Sequence, residues 1–333
     1  MKNNMIQVGL IGAGRIGKIH AASVGGHQAT MLHSVFDVHE PAAREVAAAY
    51  GAVVAPVEAI LEDPEIDVIM ICSTTDTHAD LIERSAKAGK VIFCEKPIDL
   101  SMERVQGVLD VVKTTGARLM LGFNRRFDPN FMALEHALRS GEIGDPEIVT
   151  ITSRDPGPPP AEYIQVSGGL FRDMMIHDFD MARWLLGEEP VVVYATAAAL
   201  TDPAIGTLGD VDTAVVTLTC ESGRMAVITN SRRATYGYDQ RIEVHGSKGM
   251  LRADNILEHT VTRADTSGQT AAKPLHFFLE RYAAAYRNEL DTLVATFETG
   301  SAARPNGTDG ARALALADAA LSSLKTGAPV TIS

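Results

Sequence analysis

The sequence predicts an α/β protein of two domains, and two patterns predict it. As far as residue 123, short apolar segments alternate with helical segments, as in a doubly wound parallel sheet with crossover helices. Beyond residue 123, apolar segments follow one another through short turns, which is typical of an antiparallel sheet. We therefore predict a Rossmann-type domain at residues 1–123. A second α+β domain with an open, largely antiparallel sheet is expected at residues 124–333.

The composition is that of an ordinary globular protein and limits its partners. The chain has 333 residues, enough for two cores, with 46% hydrophobic and 22% charged residues. Its formal net charge of −12 argues against nucleic acid or an anionic membrane surface as a partner, because both require a basic surface.

The cysteines and the N-terminus set two further expectations. The three cysteines have neither disulfide nor metal-ligand spacing, so we predict buried thiols and no metal. The chain enters its first strand without a signal peptide, and its apolar runs are too short to span a bilayer. A cytoplasmic location is therefore expected.

The first strand, residues 6–11, leads directly into a glycine-rich turn and a helix. Gly12 would permit the tight turn, Gly14 would let the backbone approach a pyrophosphate, and Gly17 would let the helix pack on the strand. The N-terminus of the helix, with Arg15 and Ile16, would then face the phosphates. This context predicts a dinucleotide site.

The second strand, residues 31–36, ends in Asp37, which lies 20 residues after Gly17. A carboxylate at this position accepts hydrogen bonds from the ribose of NAD and repels the 2′-phosphate of NADP. Val38 and His39 follow, so no adjacent arginine could bind that phosphate. We predict NAD as the cofactor; the alternative is an acid that caps a turn.

Three more strands, residues 66–72, 91–94 and 117–123, complete the predicted parallel sheet, with helices at 41–50 and 101–115 among the connections. Ligands of such sheets bind beyond the carboxyl ends of the strands. Polar residues at or just beyond those ends are therefore predicted to contact the cofactor. They are Ser73, Thr74, His78, Glu95, Lys96 and Asn124.

Lys96 has a second predicted role. A lysine at a strand end is most often simply exposed to solvent. Lys96 precedes a proline, which restricts its backbone, and lies on the edge where ligands bind. A cation there can hold a substrate hydroxyl and stabilise the negative charge that forms as the proton leaves.

Residues 171–184, read as one helix, have two faces. Met175, Phe179, Ala182 and Leu186 have the spacing of a buried stripe. Asp173, His177 and Asp180 lie opposite, with Asp173 and His177 at i and i+4, where side chains are neighbours. A solvated face is the alternative. We predict that His177 is a general base supported by Asp173.

The rest of the second domain is predicted from its apolar segments. Strands are expected at 147–153, 191–200, 213–220, 225–231 and 240–245, and helices at 275–298 and 309–326. The proline-rich loop that starts at Asp155 should shape a pocket wall. Residues 232–240, with Tyr236, form either a solvated hairpin or a hydroxyl-binding loop. Alternation at 213–219 suggests an open sheet face that could be buried in a homo-oligomer.

Together these motifs resemble the Gfo/Idh/MocA oxidoreductase family along essentially the whole chain. The marks are the glycine turn, the Glu95-Lys96-Pro97 segment, and the helix with Asp173 and His177. The segments 122–128 and 236–247 are similar to its inositol dehydrogenase branch.

The resemblance implies a reaction and a set of residues. The reaction would be NAD-dependent oxidation of a cyclic polyol, myo-inositol for this branch, to a ketone. Lys96, Asp173 and His177 would be catalytic, and Arg126, Asp180 and Tyr236 would bind substrate, with Asp155 of the proline-rich loop as a further candidate. Family members are dimers or tetramers that assemble through the open sheet, and their proline equivalent to Pro97 is often cis.

In the expected mechanism, the polyol lies between the nicotinamide and the helix that carries His177. His177 takes the hydroxyl proton while hydride passes to NAD. Three alternatives stay open: a dehydrogenase for scyllo-inositol or a pyranose, a glycosidase of the same fold that uses NAD, and a cofactor sensor without catalysis. The intact set of Lys96, Asp173 and His177 argues against a sensor.

Overall fold

The computed structural model describes residues 5–332, which divide into two compact units. The first comprises residues up to Asn124 together with Tyr286–Arg312. The second comprises Arg125–Ala285 and the residues from Ala313.

The first unit contains the predicted parallel sheet, which is confirmed. Its six strands have the order β3-β2-β1-β4-β5-β6 and all pair in parallel. The strands are β1 (Ile6–Ile11), β2 (Thr30–Phe36), β3 (Val53–Val54), β4 (Val68–Ile71), β5 (Val91–Cys94) and β6 (Leu119–Leu121). The connecting helices are α1 (Arg15–Gly26), α2 (Glu40–Tyr50), α3 (Val57–Glu62), α4 (Thr75–Lys87) and α5 (Met102–Thr115). Every residue of β1, β4, β5 and β6 is buried, as expected for a sheet covered on both faces.

The second unit contains a mixed sheet of seven strands in the order β12-β11-β7-β10-β9-β8-β15. All neighbours are antiparallel except β7 and β10, so the predicted largely antiparallel sheet is confirmed. The strands are β7 (Pro146–Arg154), β8 (Pro190–Ala198), β9 (Thr213–Cys220), β10 (Met225–Ser231), β11 (Asp239–Gly246), β12 (Gly249–Ala253) and β15 (Val330–Thr331). A hairpin of β13 (Thr262–Asp265) and β14 (Gly268–Ala271) forms a separate sheet.

The remaining elements are helical. A 3-10 turn at Asn124–Phe127 is followed by helices α6 (Pro129–Arg139), α7 (Ala161–Ser167), α8 (Gly169–Asp173), α9 (Ile176–Leu186), α10 (Pro203–Thr207), α11 (Phe278–Arg281), α12 (Ala283–Thr299) and α13 (Gly307–Thr326). Helix α9 packs against β7 and β10, so it covers one face of the sheet.

The C-terminal part of the chain returns to the first unit. The backbone N–H of Leu121 donates to the carbonyl of Pro305 (2.9 Å), which continues the hydrogen bonding beyond the edge strand β6. Gly310 lies so close to Leu121 that a Cβ atom there would overlap the leucine side chain. The sequence assigned all of residues 124–333 to the second domain, whereas the structure groups residues 286–312 with the first unit.

The prediction of a single helix at residues 171–184 is wrong, because the helix is interrupted at Met174 and Met175. The N–H groups of both methionines donate to the carbonyl of Leu170, at 3.1 and 2.9 Å, which interrupts the regular ladder. Helix α8 therefore ends at Asp173, and α9 begins at Ile176. Because the two residues lie on different helices, their i,i+4 spacing does not by itself make them neighbours, and the support of His177 by Asp173 stays a prediction.

The alternative of a solvated helix face is wrong, because α9 is buried around nearly its whole circumference. Only His177 and Trp184 of its residues are partly exposed, and Asp178 and Asp180 are 0% and 1% exposed. A helix of this kind belongs to a core, and its charges must find partners within the protein.

Candidate active site

The glycine turn has the geometry that the sequence predicts. Gly12 has a φ of +102°, and a Cβ atom there would overlap the backbone of Cys72 and Ser73. A Cβ atom on Gly17 would overlap the carbonyl oxygen of Gly12, so this glycine permits the close approach of helix and turn. A Cβ atom on Gly14 would meet nothing within 4 Å. The space beside Gly14 is therefore open to a ligand.

The N-terminus of α1 fits a phosphate group. Gly14 is its N-cap residue and provides no side-chain hydrogen bond, and the first turn carries no acidic residue. The unsatisfied N–H groups of such a terminus attract anions. Arg15 and Ile16 lie in this first turn, where the sequence predicts them. The turn thus fits the pyrophosphate of a dinucleotide.

Asp37 follows β2 and connects to the glycine turn. The N–H of Ala13 donates to its Oδ2 (2.6 Å), and the N–H of His39 donates to its Oδ1 (2.7 Å). The turn-capping alternative is thus present in the structure. Each carboxylate oxygen can accept a second hydrogen bond. The ribose-binding role of Asp37 stays a prediction compatible with this geometry.

Residues after β4 and β5 lie at the same edge of the sheet. Ser73 follows β4, and its hydroxyl lies 2.6 Å from that of Thr77; Thr74 is the N-cap residue of α4. His78 is 2% exposed, with Nδ1 2.7 Å from the carbonyl of Pro97 and Nε2 3.1 Å from that of Ser73. Because both ring nitrogens face backbone carbonyls, His78 links the loops after β4 and β5, and a contact with the cofactor stays a prediction.

In the Glu-Lys-Pro segment, Glu95 is buried and Lys96 is partly exposed. Glu95 is 9% exposed, and its Oε1 lies 2.7 Å from Nε2 of His20 in the interior. Lys96 is partly exposed beyond the end of β5, and the Lys96–Pro97 peptide is cis, as expected. Asn124, 5% exposed, begins the 3-10 turn after β6. Lys96 thus stays the candidate for substrate contact.

In the second unit, Asp173 lies within a cluster of polar side chains. The hydroxyl of Tyr163 donates to its Oδ1 (2.9 Å), and Nη2 of Arg232 lies 3.4 Å from its Oδ2. Nη1 of Arg232 lies 4.0 Å from Asp155. Burial raises the pKa of Asp155 to about 6; Arg232 opposes the rise and Asp173 adds to it. The structure thus brings the predicted residues Asp155 and Asp173 to the same arginine.

His177 lies in the first turn of α9, with a partly exposed side chain. Its Nδ1 is buried. Proton transfer to the other ring nitrogen, Nε2, stays a prediction. This geometry is compatible with a base that takes a proton at Nε2.

Arg126 and Asp180, both predicted to bind substrate, bind each other. Nε and Nη2 of Arg126 donate to the two oxygens of Asp180, at 2.7 and 2.6 Å. Nη1 of Arg183 lies 3.7 Å from the same carboxylate, and the Arg126 guanidinium stacks on Trp184. The paired charges neutralise each other, because a buried carboxylate requires a cation. Their structural task is a bidentate ion pair, and a substrate contact by either stays a prediction.

Tyr236 lies in the predicted hydroxyl-binding loop and is 41% exposed. Its hydroxyl donates to Asp239 (2.6 Å) and accepts from Arg154 (3.1 Å). Partial burial and the Asp239 carboxylate raise the pKa of the Tyr236 phenol. It can therefore act as a neutral hydrogen-bonding group beside a ligand.

A buried ion pair beside His177 escaped the sequence analysis. Arg125 and Asp178 form a charged hydrogen bond in the interior, and Asn230 and Ser153 bind the same pair. In the sequence, Arg232 is likewise only one residue of a polar loop. The sequence does contain one indication of these ion pairs, because an aspartate inside an apolar helix and an arginine at a strand end must be paired when they are buried.

Comparison with known proteins agrees with this geometry. Residues 6–123 match the sequence profile described as an oxidoreductase family with an NAD-binding Rossmann fold, and residues 131–252 match that of the GFO/IDH/MocA C-terminal domain. The chain belongs to the Gfo/Idh/MocA oxidoreductase family.

Relatives in this family resemble the chain over nearly its whole length. It is 57% identical to inositol 2-dehydrogenase of Rhizobium meliloti, over 96% of this chain and 97% of the relative. It is 48% identical to myo-inositol 2-dehydrogenase of Thermotoga maritima, over 96% of each. The crystal structure of a myo-inositol dehydrogenase from Corynebacterium glutamicum superposes with a TM-score of 0.95 at 44% identity, covering 99% of each chain.

Two classes of feature are absent from residues 5–332. No helix in this range is long and apolar enough to cross a membrane. The same residues include no group of three or more histidine, cysteine, aspartate or glutamate side chains placed to hold a metal ion.

Proposed function

We propose that this protein is an NAD-dependent inositol dehydrogenase that oxidises myo-inositol to 2-keto-myo-inositol (scyllo-inosose). The observation that carries the proposal is the 57% identity, over nearly the full length, to a relative named inositol 2-dehydrogenase. The open glycine turn, the uncapped start of α1 and Asp37 support NAD as the cofactor.

The first unit binds the cofactor and provides a cation. NAD, when bound, supplies the hydride acceptor. The backbone of the glycine turn and the start of α1 hold the pyrophosphate, and Asp37 accepts hydrogen bonds from the ribose. Lys96 stabilises the oxygen of the reacting alcohol as its proton leaves.

The second unit supplies the base. His177 takes the hydroxyl proton at Nε2 as the carbon–hydrogen bond releases hydride, so the alcohol loses two electrons and two hydrogens and becomes a ketone. Asp173 stabilises the resulting imidazolium, and Tyr163 and Arg232 hold that carboxylate in place. In this proposal, Asp155 and Tyr236 bind neighbouring hydroxyls.

A panel of polyols tests the proposed activity. Initial rates of NADH formation should be measured by absorbance with myo-inositol, scyllo-inositol, other inositols and glucose. We expect the largest kcat/KM for myo-inositol. A larger kcat/KM for scyllo-inositol or a pyranose would identify that compound as the substrate instead. If no polyol gave NADH, the proposed dehydrogenase activity would be overturned.

His177→Ala tests the base. We expect kcat to fall by about 10²–10⁴-fold, the usual contribution of a general base, while NAD affinity measured by fluorescence stays unchanged. His136→Ala is the matched control, because His136 lies in the same unit on α6 and its side chain is exposed. Equal turnover in His177→Ala and His136→Ala would contradict the assignment.

We also propose a homo-oligomer, a dimer or tetramer, that assembles through the open face of the mixed sheet. Tyr194, Val215 and Met225 on this face are 40%, 46% and 42% exposed. Tyr194→Glu with Val215→Glu should therefore lower the mass measured by light scattering. An unchanged mass would place the interface elsewhere. A cytoplasmic location stays a prediction from the sequence.

A further inference from the structure

A buried arginine connects two carboxylates of the second unit. Arg232 directly follows β10, and its side chain is 2% exposed. Its two terminal nitrogens approach different acids, Asp173 at 3.4 Å and Asp155 at 4.0 Å. Asp173 ends α8 and Asp155 follows β7, so one cation serves acids from two other elements.

The backbone holds Arg232 and Asp155 independently of their side chains. The N–H of Arg232 donates to the carbonyl of Asp212 (2.8 Å), and the N–H of Asp155 donates to that of Ser231 (2.9 Å). The Asp212 carboxylate in turn accepts from the backbone of residues 200–202. A changed side chain at residue 232 should therefore leave this backbone in place.

The charges around Asp155 explain why the cation is needed. Two carboxylates that share a partly buried site repel each other, and one of them tends to take up a proton. Asp173 and Asp178 disfavour the charge on Asp155, whereas Arg232 and Arg125 favour it. Arg125 is hydrogen-bonded to Asp178, whereas Arg232 lies beside both Asp155 and Asp173.

We propose that Arg232 is a positioning residue for the reaction proposed above: its buried guanidinium holds the Asp155 and Asp173 carboxylates together and favours the charged form of Asp155. Asp173 can then stabilise a protonated His177, and Asp155 can accept hydrogen bonds from substrate hydroxyls. The role in catalysis rests on the proposed function, whereas the arrangement of charges does not.

The consequence is a specific pH dependence. Without the cation, the two acids should share a proton at higher pH. Because the proposed reaction requires both carboxylates in the charged form, their protonation would set the acid limb of the kcat/KM profile, which should therefore move to higher pH. A loss of packing alone would lower kcat/KM at every pH and leave the limb in place.

Substitutions at residue 232 test this in the full-length protein with myo-inositol and NAD. In Arg232→Met, we expect the acid limb to rise by about one pH unit, so that kcat/KM on the acid side falls about tenfold more than at the plateau. Arg232→Lys should keep the limb near the wild-type position, because it keeps the charge. Arg232→Met combined with Asp155→Asn should restore it, because the second carboxylate is gone.

Arg281→Met is the matched control. Arg281 is also a buried arginine of the second unit, 3% exposed and paired with Asp128. We expect this variant to lose thermal stability without moving the acid limb. An equal shift in Arg281→Met and Arg232→Met, or an unmoved limb in Arg232→Met, would overturn the proposal.

Carbon-13 NMR of protein labelled at the aspartate carboxyl carbons gives a readout that needs no activity. Asp155→Asn and Asp173→Asn assign the two resonances. We expect Arg232→Met to raise the pH at which at least one of them titrates, and Arg232→Lys to leave both near wild type. If wild type oxidises no polyol, the proposed function fails while this titration still decides the charge arrangement. Unchanged titration in Arg232→Met would overturn the inference even in an active enzyme.

Discussion

Asp37 fixes the glycine turn and is also the proposed ribose ligand. It accepts the N–H groups of Ala13 and His39, so it fixes the glycine turn relative to the end of β2. We propose that the same carboxylate also accepts hydrogen bonds from the ribose of NAD. A residue that fixes the turn and faces the ribose can select the cofactor without a separate binding loop.

Asp37→Ser should reduce the preference for NAD. The variant loses a charged hydrogen bond of about 1.5–3 kcal/mol and the repulsion of the 2′-phosphate. We expect the ratio of kcat/KM with NAD to that with NADP to fall by about ten- to a hundredfold. Both cofactors should also bind more weakly, since the turn loses its anchor.

Asp37→Glu, which keeps the charge, is the control and should reject NADP. If the ratio in Asp37→Ser stays at the wild-type value, Asp37 is not the ribose ligand.

The element that joins β1 to α1 shows how glycines at neighbouring positions serve different purposes. Gly17 has no room for a methyl group, because the carbonyl of Gly12 lies against its Cα atom. Gly14 has room on the protein side, so only a bound ligand could require a glycine there. The sequence motif alone does not separate these two causes.

Gly14→Ala and Gly17→Ala should therefore differ in kind. Gly17→Ala should lower the melting temperature, because the helix must move away from the turn. Gly14→Ala should leave the melting temperature of the apo-protein near wild type and weaken NAD binding about tenfold or more, as measured by calorimetry. Loss of stability without loss of affinity in Gly14→Ala would show that Gly14 is a structural glycine.

Helix α9 shows where a sequence pattern fails at the scale of an element. A solvated face is the alternative interpretation of its charged residues, since charged residues are rarely buried. Asp178 and Asp180 are instead each paired with an arginine from the segment after β6, Arg125 and Arg126 respectively. Because these partners lie more than fifty residues away in the chain, the spacing within the helix contains no sign of them.

At the scale of the whole molecule, residues 286–312 belong to the first unit and bring a buried carboxyl group into it. Glu289 on α12 is 1% exposed, and neither of its oxygens has a hydrogen-bond partner among the described residues. Burial raises the pKa of Glu289 well above its ordinary value of 4.5, and the nearby Glu95 adds to the rise. The folded protein therefore holds a proton that the unfolded chain releases.

This proton makes stability depend on pH. The contribution of Glu289 is complete below its unfolded pKa of about 4.5 and is lost as pH rises through the higher folded pKa. We expect the free energy of unfolding in urea to decline from about pH 5 upward, and Glu289→Gln to decline less.

Glu298→Gln is the control, because Glu298 is an exposed glutamate on the same helix. Its unfolding should follow the wild-type pH dependence. If Glu289→Gln also follows wild type, Glu289 is not protonated in the folded protein.

The sequence by itself determined the alternating parallel sheet, the glycine turn and the polar residues beyond the strand ends. These depend on local periodicity and short spacings, which a chain displays directly. It also placed Lys96 and His177 among the candidates, through motifs that resemble a known family.

Only the tertiary structure decided which charges meet. Arg126 with Asp180, Arg125 with Asp178, and Arg232 with Asp155 and Asp173 join residues distant in the chain. The break between α8 and α9 and the return of residues 286–312 are of the same kind. The physical reason is that burial forces each charge to find a partner, and the fold, not the local pattern, decides which one is within reach.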